Sequence, residues 1–145
     1  MKNPPNIKAV RIVGALLLEL DWSTGETLRI DLSDHTAAPF DVLHNPDLFA
    51  QVTIDEWGHG IGWADGLDFG ADALYEWSRE QAGLPTASTF DAWMARNRLS
   101  LASAAESLGM TRRMIAYYRS GTHPIPKVVG LALKGYEAEH HSAAE

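Results

Sequence analysis

The chain has 145 residues, 46% apolar and 21% charged, with a formal charge of −7 and no cysteine. That length suits one ordinary domain or two small ones, and the composition is that of a soluble globular chain, not a disordered one. Disulfides and thiolate zinc sites are excluded, which fits a reducing compartment.

The longest apolar run, Ile12 to Leu18, falls far short of the roughly 20 residues of a membrane span, and MKNPPN lacks the pattern of a signal peptide. A cytoplasmic location is therefore expected, with no membrane association. An acidic chain is ordinarily a poor partner for phosphate, yet the charge is unevenly spread. Residues 1–85 hold fourteen Asp/Glu against five Lys/Arg, a balance of −9, whereas residues 86–145 hold five against seven, a balance of +2. Such asymmetry directs attention to the basic part as a nucleic-acid module.

Taken in chain order, the first half reads as strands and turns. IKAVRIVGALLLELDW is rich in Val, Ile and Leu, and Ser23-Thr24-Gly25 separates two partly alternating runs. Leu18, Leu20 and Trp22 would then face Leu28, Ile30 and Leu32 across a hairpin of period two. Pro39 and Asn45-Pro46 punctuate a turn and a short helical turn carrying Leu48 and Phe49. A second hairpin is expected around Gly58 to Gly60, with Val52 and Ile54 opposite Ile61 and Trp63. From Gly70 the period becomes helical: Leu74 and Trp77 share a face, Asp72 suits the N-terminal dipole, and Gly83 ends the helix.

The second half reads as helical throughout. Ser88, with Asp91 three residues on, resembles a capping box, and Phe90, Trp93, Met94 and Asn97 then recur at helical spacing to about Arg98. Ser100 caps a helix over 101–108, and Gly109 supplies the positive φ of a tight turn. Thr111 caps a helix over 112–120, which Gly121 ends. Pro126 suits the first turn of a last helix whose apolar face would be Val128, Leu131, Ala132, Leu133 and Tyr136. The expected organisation is an α+β N-terminal domain over 1–83, with a small antiparallel sheet and one or two helices. A linker over 84–89 follows, then an all-α domain of four or five helices over 90–139 and a flexible tail over 140–145.

Ser107 to Gly121, SLGMTRRMIAYYRSG, concentrates the chemistry. Ala105 is small where two helices would cross, Gly109 makes the turn, and Leu108, Met110, Ile115 and Tyr118 are apolar where a shared core is needed. These are the requirements of a helix-turn-helix, whose second helix lies in the major groove. Arginine suits that position because its planar fork binds guanine O6/N7 or clamps phosphate. Arg113 and Tyr117 are expected towards bases, with Thr111, Arg112 and either Arg119 or Lys127 towards phosphates; Ala116 lies beside Tyr117, one turn on. The competing reading makes these arginines the solvated face of a bundle that binds protein.

RNRLSLASAAESLGMTRRMIAYYRSGTHPIP resembles the lambda-repressor-like, or Cro/C1-type, helix-turn-helix domains of bacterial and phage regulators. The likeness lies in LS, Ala, LGMT, the apolar residues and the G...IP ending. It departs at Leu101, where that family often has Gln, and at Arg119, where it often has Glu. Residues 7–78 resemble a bacterial domain of unknown function, the DUF2442 family, through DWSTGETLRIDL, LHNPDLFAQV and GIGWADGLDFGADALYEW. Members of that family occur alone or fused to helix-turn-helix domains, some beside toxin genes, which implies a regulator or an antitoxin-like role. Double-stranded DNA is the expected partner, read by a homodimer because two-fold sites need two heads one helical turn apart. The acidic half is expected to serve dimerisation, a small ligand or a basic protein partner.

Catalysis is not expected. His44, His59, Asp65 and Asp68 have no established metal-ligand spacing, and WADGLD reads as a turn in which Asp68 bonds backbone amides near the next helix. Trp57 and Trp63 are expected in the core. GHGIG lacks the helix and lysine of a phosphate loop, and no nucleophile elbow is present. No metal or cofactor is implied.

Overall fold

Alternation of apolar and polar residues builds the first sheet. The computed structural model describes residues 4–142, with side chains as far as His140. Strands β1 (Ile7–Gly14), β2 (Leu17–Trp22) and β3 (Thr27–Asp31) form an antiparallel meander in the order β1-β2-β3. Leu18 pairs with Ile30 and Leu20 with Leu28, and these four side chains, with Trp22 and Leu32, are buried. The hairpin read from the sequence is therefore present, and its apolar face packs against the helix α2 (Ala71–Gln81) through Leu74, Tyr75 and Ser78.

The other face of this sheet carries charge. The Arg11 guanidinium donates to Asp21 at 2.6 and 2.9 Å and to Glu19 at 3.0 Å. Arg29 donates to the same Glu19 at 3.2 Å. The bonds from Arg11, helped by the Thr27 hydroxyl, hold the Asp21 carboxyl down at about 2. A depressed carboxylate contributes stability above its unfolded pKa of about 3.9 and loses it as pH falls towards 2. In Arg11→Ala, an NMR titration of Asp21 is expected to midpoint well above 2, near the unperturbed range.

The second sheet is smaller: β4 (Thr53–Ile54), β5 (Gly60–Gly62) and β6 (Asp68–Gly70), again antiparallel. The expected second hairpin is β4–β5, with Ile54 opposite Ile61. The short helix α1 (Pro46–Phe49) starts at Asn45, whose side chain accepts the Asp47 amide at 3.0 Å. Phe49, Trp63, Phe69 and Trp77 form an aromatic cluster beneath, with successive ring centroids 5.7–6.0 Å apart.

Two expectations for this half are corrected. Trp57 is 68% exposed, so it is not a core residue, whereas Trp63 is buried as expected. WADGLD contains a turn, with Asp65 and Gly66 both at positive φ. Its Asp68, however, begins β6 opposite Gly62, and the carboxylate that gathers turn amides is Asp55, accepting from Trp57 and His59 at 3.0 and 2.8 Å.

Residues from Gly83 onward form a separate compact unit from Pro4–Ala82. Its described residues form four helices: α3 (Ala87–Arg96), α4 (Leu101–Leu108), α5 (Arg112–Ser120) and α6 (Lys127–Ser142). Helix α3 begins three residues earlier than the sequence suggested, inside the segment read as linker. Thr86, not Ser88, is the cap: its hydroxyl accepts the Thr89 amide at 3.1 Å while the Thr89 hydroxyl accepts the Thr86 amide at 2.8 Å. This reciprocal pair satisfies two N-terminal donors at once, which Ser88 with Asp91 does not.

Phe90, Trp93, Met94, Ala104, Ala105, Ile115, Tyr118, Ile125, Val129 and Leu133 make the core of this unit. The apolar face of α6 therefore differs from expectation: Val129 and Leu133 are inside, Val128 and Leu131 are exposed at 69% and 56%, and Ala132 is exposed too. Helix α6 also continues through 140–142, where a flexible tail was expected; residues 143–145 lie outside the described residues. Among the described residues no helix is long and apolar enough to cross a membrane.

Candidate nucleic-acid interface

Local sequence chemistry sets the geometry of α4, its turn and α5. Ser100 opens α4 by accepting the Ser103 amide at 3.1 Å, in a reciprocal cap like that of α3. Gly109 closes it at φ 67°, with the Met110 amide bonding the Ala105 carbonyl at 2.9 Å. That left-handed closure turns the chain at once, and Thr111 caps α5 by accepting the Met114 amide at 3.1 Å. A Cβ at Gly109 would meet no atom within 4 Å, so only backbone strain opposes a side chain there. Gly109→Ala is accordingly expected to destabilise this unit by about 1–2 kcal/mol, read from its denaturant midpoint.

Burial orients α5. Ile115 and Tyr118 are inside, packed with α3 and α4, while Arg112, Arg113, Arg119 and Ser120 are exposed and Ala116 and Tyr117 are half-buried. Helical spacing then puts Arg112 beside Ala116 and Arg113 beside Tyr117, on the side away from the core. The Arg113 Nε donates to the Tyr117 hydroxyl at 2.6 Å, and its guanidinium carbon lies 5.5 Å from the centre of that ring. Arg113 is thus braced, which reduces the rotamer freedom lost when its fork engages a ligand.

The seven residues singled out from sequence do not all converge. Thr111, Arg112, Arg113, Ala116 and Tyr117 lie together on the first two turns of α5. Among the described residues Arg112 and Lys127 enter no ion pair, and both are exposed. Lys127 stands at the start of α6. Arg119 is engaged elsewhere: its Nε donates to Asp91 on α3 at 2.7 Å, an exposed pair of the kind that contributes little to stability.

His123 was not anticipated. It follows α5, and its ring meets the Tyr117 ring edge-on with centroids 4.6 Å apart. It therefore buttresses the tyrosine that braces Arg113. Its only trace in the sequence was its place in the THPIP connection. Elsewhere, among the described residues, no group of three or more His, Asp or Glu side chains is arranged to hold a metal ion.

An antiparallel α+β unit is followed by a separate all-α unit that presents arginines on one helix, α5. Residues 7–80 match the family described as "Protein of unknown function (DUF2442)", and the chain belongs to that family. It is also similar to a crystal structure described as that of the "Putative DNA Binding Protein NE0471 from Nitrosomonas europaea ATCC 19718". That likeness has 40% sequence identity and a TM-score of 0.71 over 92% of this chain and 87% of the other. It therefore extends well beyond the family's own segment into the helical unit. Among curated proteins none matches.

Proposed function

We propose that the chain is a DNA-binding regulator whose α4–turn–α5 segment is a helix-turn-helix of the lambda-repressor-like kind, with α5 in the major groove of duplex DNA. The observation that carries this reading is the exposed face of α5, where Arg112, a braced Arg113, Ala116 and Tyr117 lie opposite the buried Ile115 and Tyr118. Arg113 with Tyr117 reads base edges; Thr111, Arg112 and Lys127 hold phosphates. Arg119 joins them only by exchanging Asp91 for a phosphate. The description of the Nitrosomonas europaea relative as a "Putative DNA Binding Protein" supports the same reading.

Reading a two-fold operator requires two heads about one helical turn apart, so the acting species is a homodimer. The excess of acid in residues 1–85 weakens non-specific attraction to DNA, which makes affinity depend on specific contacts and on pairing of heads. The deciding experiment is selection of bound duplexes from a random pool. A two-fold motif with half-sites about 10 base pairs apart is expected; a pool with no enriched motif rules the reading out.

A further inference from the structure

Trp57 is the exception among the tryptophans: Trp22, Trp63 and Trp93 are buried, while Trp57 is 68% exposed. A large aromatic left in water is ordinary on a loose loop, but this turn is fastened on every side. Asp55 accepts the Trp57 and His59 amides at 3.0 and 2.8 Å, and its carbonyl accepts the Gly58 amide at 3.1 Å. Gly58, at φ 72°, accepts the Ile7 amide through its carbonyl at 2.8 Å. It sits so close to β1 that a Cβ would come within 2.5 Å of the Ile7 carbonyl oxygen. The backbone under Trp57 is already ordered, so a partner that covers the indole does not also have to immobilise the turn.

The chemistry around the indole selects the partner. Glu56 is exposed next to it. Asp55 and His59, which flank Trp57 in the chain, line an open groove of about 350 Å³ together with Thr53, Trp63 and Asp68, and no Lys or Arg lines it. The arginines of this unit do not neutralise it: Arg11, Arg29 and Arg79 are paired with Glu19, Asp21 and Glu26. Phosphate is repelled by such a surface, whereas a guanidinium stacks on an indole face and bonds to carboxylates. Tryptophan and arginine are also the residues that most often dominate protein interfaces.

We propose that Trp57, Glu56 and the groove lined by Asp55, His59 and Asp68 dock an arginine-bearing basic segment of another protein. An arginine of that segment stacks on Trp57, and a second basic side chain enters the groove towards Asp68. This surface belongs to the N-terminal unit and α5 to the helical one, and the proposal does not rest on DNA binding.

The test pans a random peptide library on the full-length chain, with Trp57→Ala in parallel. Trp57 is exposed, so the variant is expected to keep the circular dichroism spectrum of the wild type. The wild type should enrich peptides with two or more Arg or Lys. The enriched peptide should bind Trp57→Ala about tenfold more weakly by fluorescence anisotropy. Glu56→Gln with Asp68→Asn should weaken binding and flatten its salt dependence, and Arg112→Ala should leave it unchanged. Absence of enrichment, enrichment of peptides without basic residues, or equal binding to Trp57→Ala overturns the proposal. Loss of peptide binding in Arg112→Ala assigns the peptide to α5 and overturns it equally.

Discussion

Arg79→Ala is expected to destabilise the N-terminal unit by about 3 kcal/mol, measured as a fall in its urea midpoint. Arg79 is 3% exposed although it is a charged side chain on α2. Its guanidinium donates to Glu26, and the same carboxylate accepts the Tyr75 hydroxyl at 2.5 Å. Glu26 belongs to the β2–β3 turn, where its carbonyl accepts the Trp22 amide at 2.8 Å. Two residues of α2 thus converge on one carboxylate of the hairpin, 49 and 53 residues away in the chain. Removing Arg79 leaves that partly buried carboxylate without its cation and also removes the guanidinium, whose carbon lies 5.8 Å from the centre of the Tyr75 ring.

Burial first, and the bond to Glu26 second, push the Tyr75 phenol well above its usual range. Tyr75 therefore stays protonated and remains a donor to Glu26 throughout neutral pH. A double-mutant cycle with Glu26→Gln should recover part of the Arg79→Ala loss, because the charge stranded by the first change is gone. Additive costs would show that the two side chains do not act as a unit.

The elements legible in the sequence are those whose signal is local and redundant. The β2–β3 hairpin has three inward residues on each side of a Ser-Thr-Gly turn, and a register slip would expose all of them. Helices α4 and α5 are bounded at each end by a hydroxyl cap or a left-handed glycine, so their limits follow from the residues. The start of α3 is different. Thr86, Ser88 and Thr89 are all competent caps, and only the reciprocal bond between Thr86 and Thr89 selects among them. Strand β6 is too short for alternation to show.

Helix α6 misleads for another reason. Val128, Val129, Leu131 and Leu133 spread around the helix, so composition does not say which stripe meets Phe90 and Trp93. The candidate interface divides in the same way. Braced Arg113 follows from an i, i+4 relation within one helix, readable once the helix is placed. The pairing of Arg119 with Asp91, 28 residues earlier, depends on how α3 and α5 cross and has no local signature. Exposure of Trp57 is likewise a tertiary fact: a tryptophan beside a strand in sequence is ordinarily inside.

On the proposed DNA reading, Arg113→Ala and Arg112→Ala should fail in different ways. Arg113→Ala removes a two-pronged donor from base edges, so one position of each half-site should lose its preference for guanine, with about 1–3 kcal/mol of discrimination lost. Arg112→Ala removes a phosphate contact, so affinity should fall about equally on all sequences, and the slope of log K against log salt should shrink by about 1. Tyr117→Phe probes the brace. It keeps the ring that meets His123 and deletes the hydroxyl that receives the Arg113 Nε. Specific affinity should drop while the salt slope stays, because the arginine must then be ordered at the moment of binding. Selection and titration of the three variants at several salt concentrations separate these outcomes. A uniform loss in Arg113→Ala, with no relaxed base position, would move Arg113 from the bases to the backbone and leave base reading to Ala116 and Tyr117.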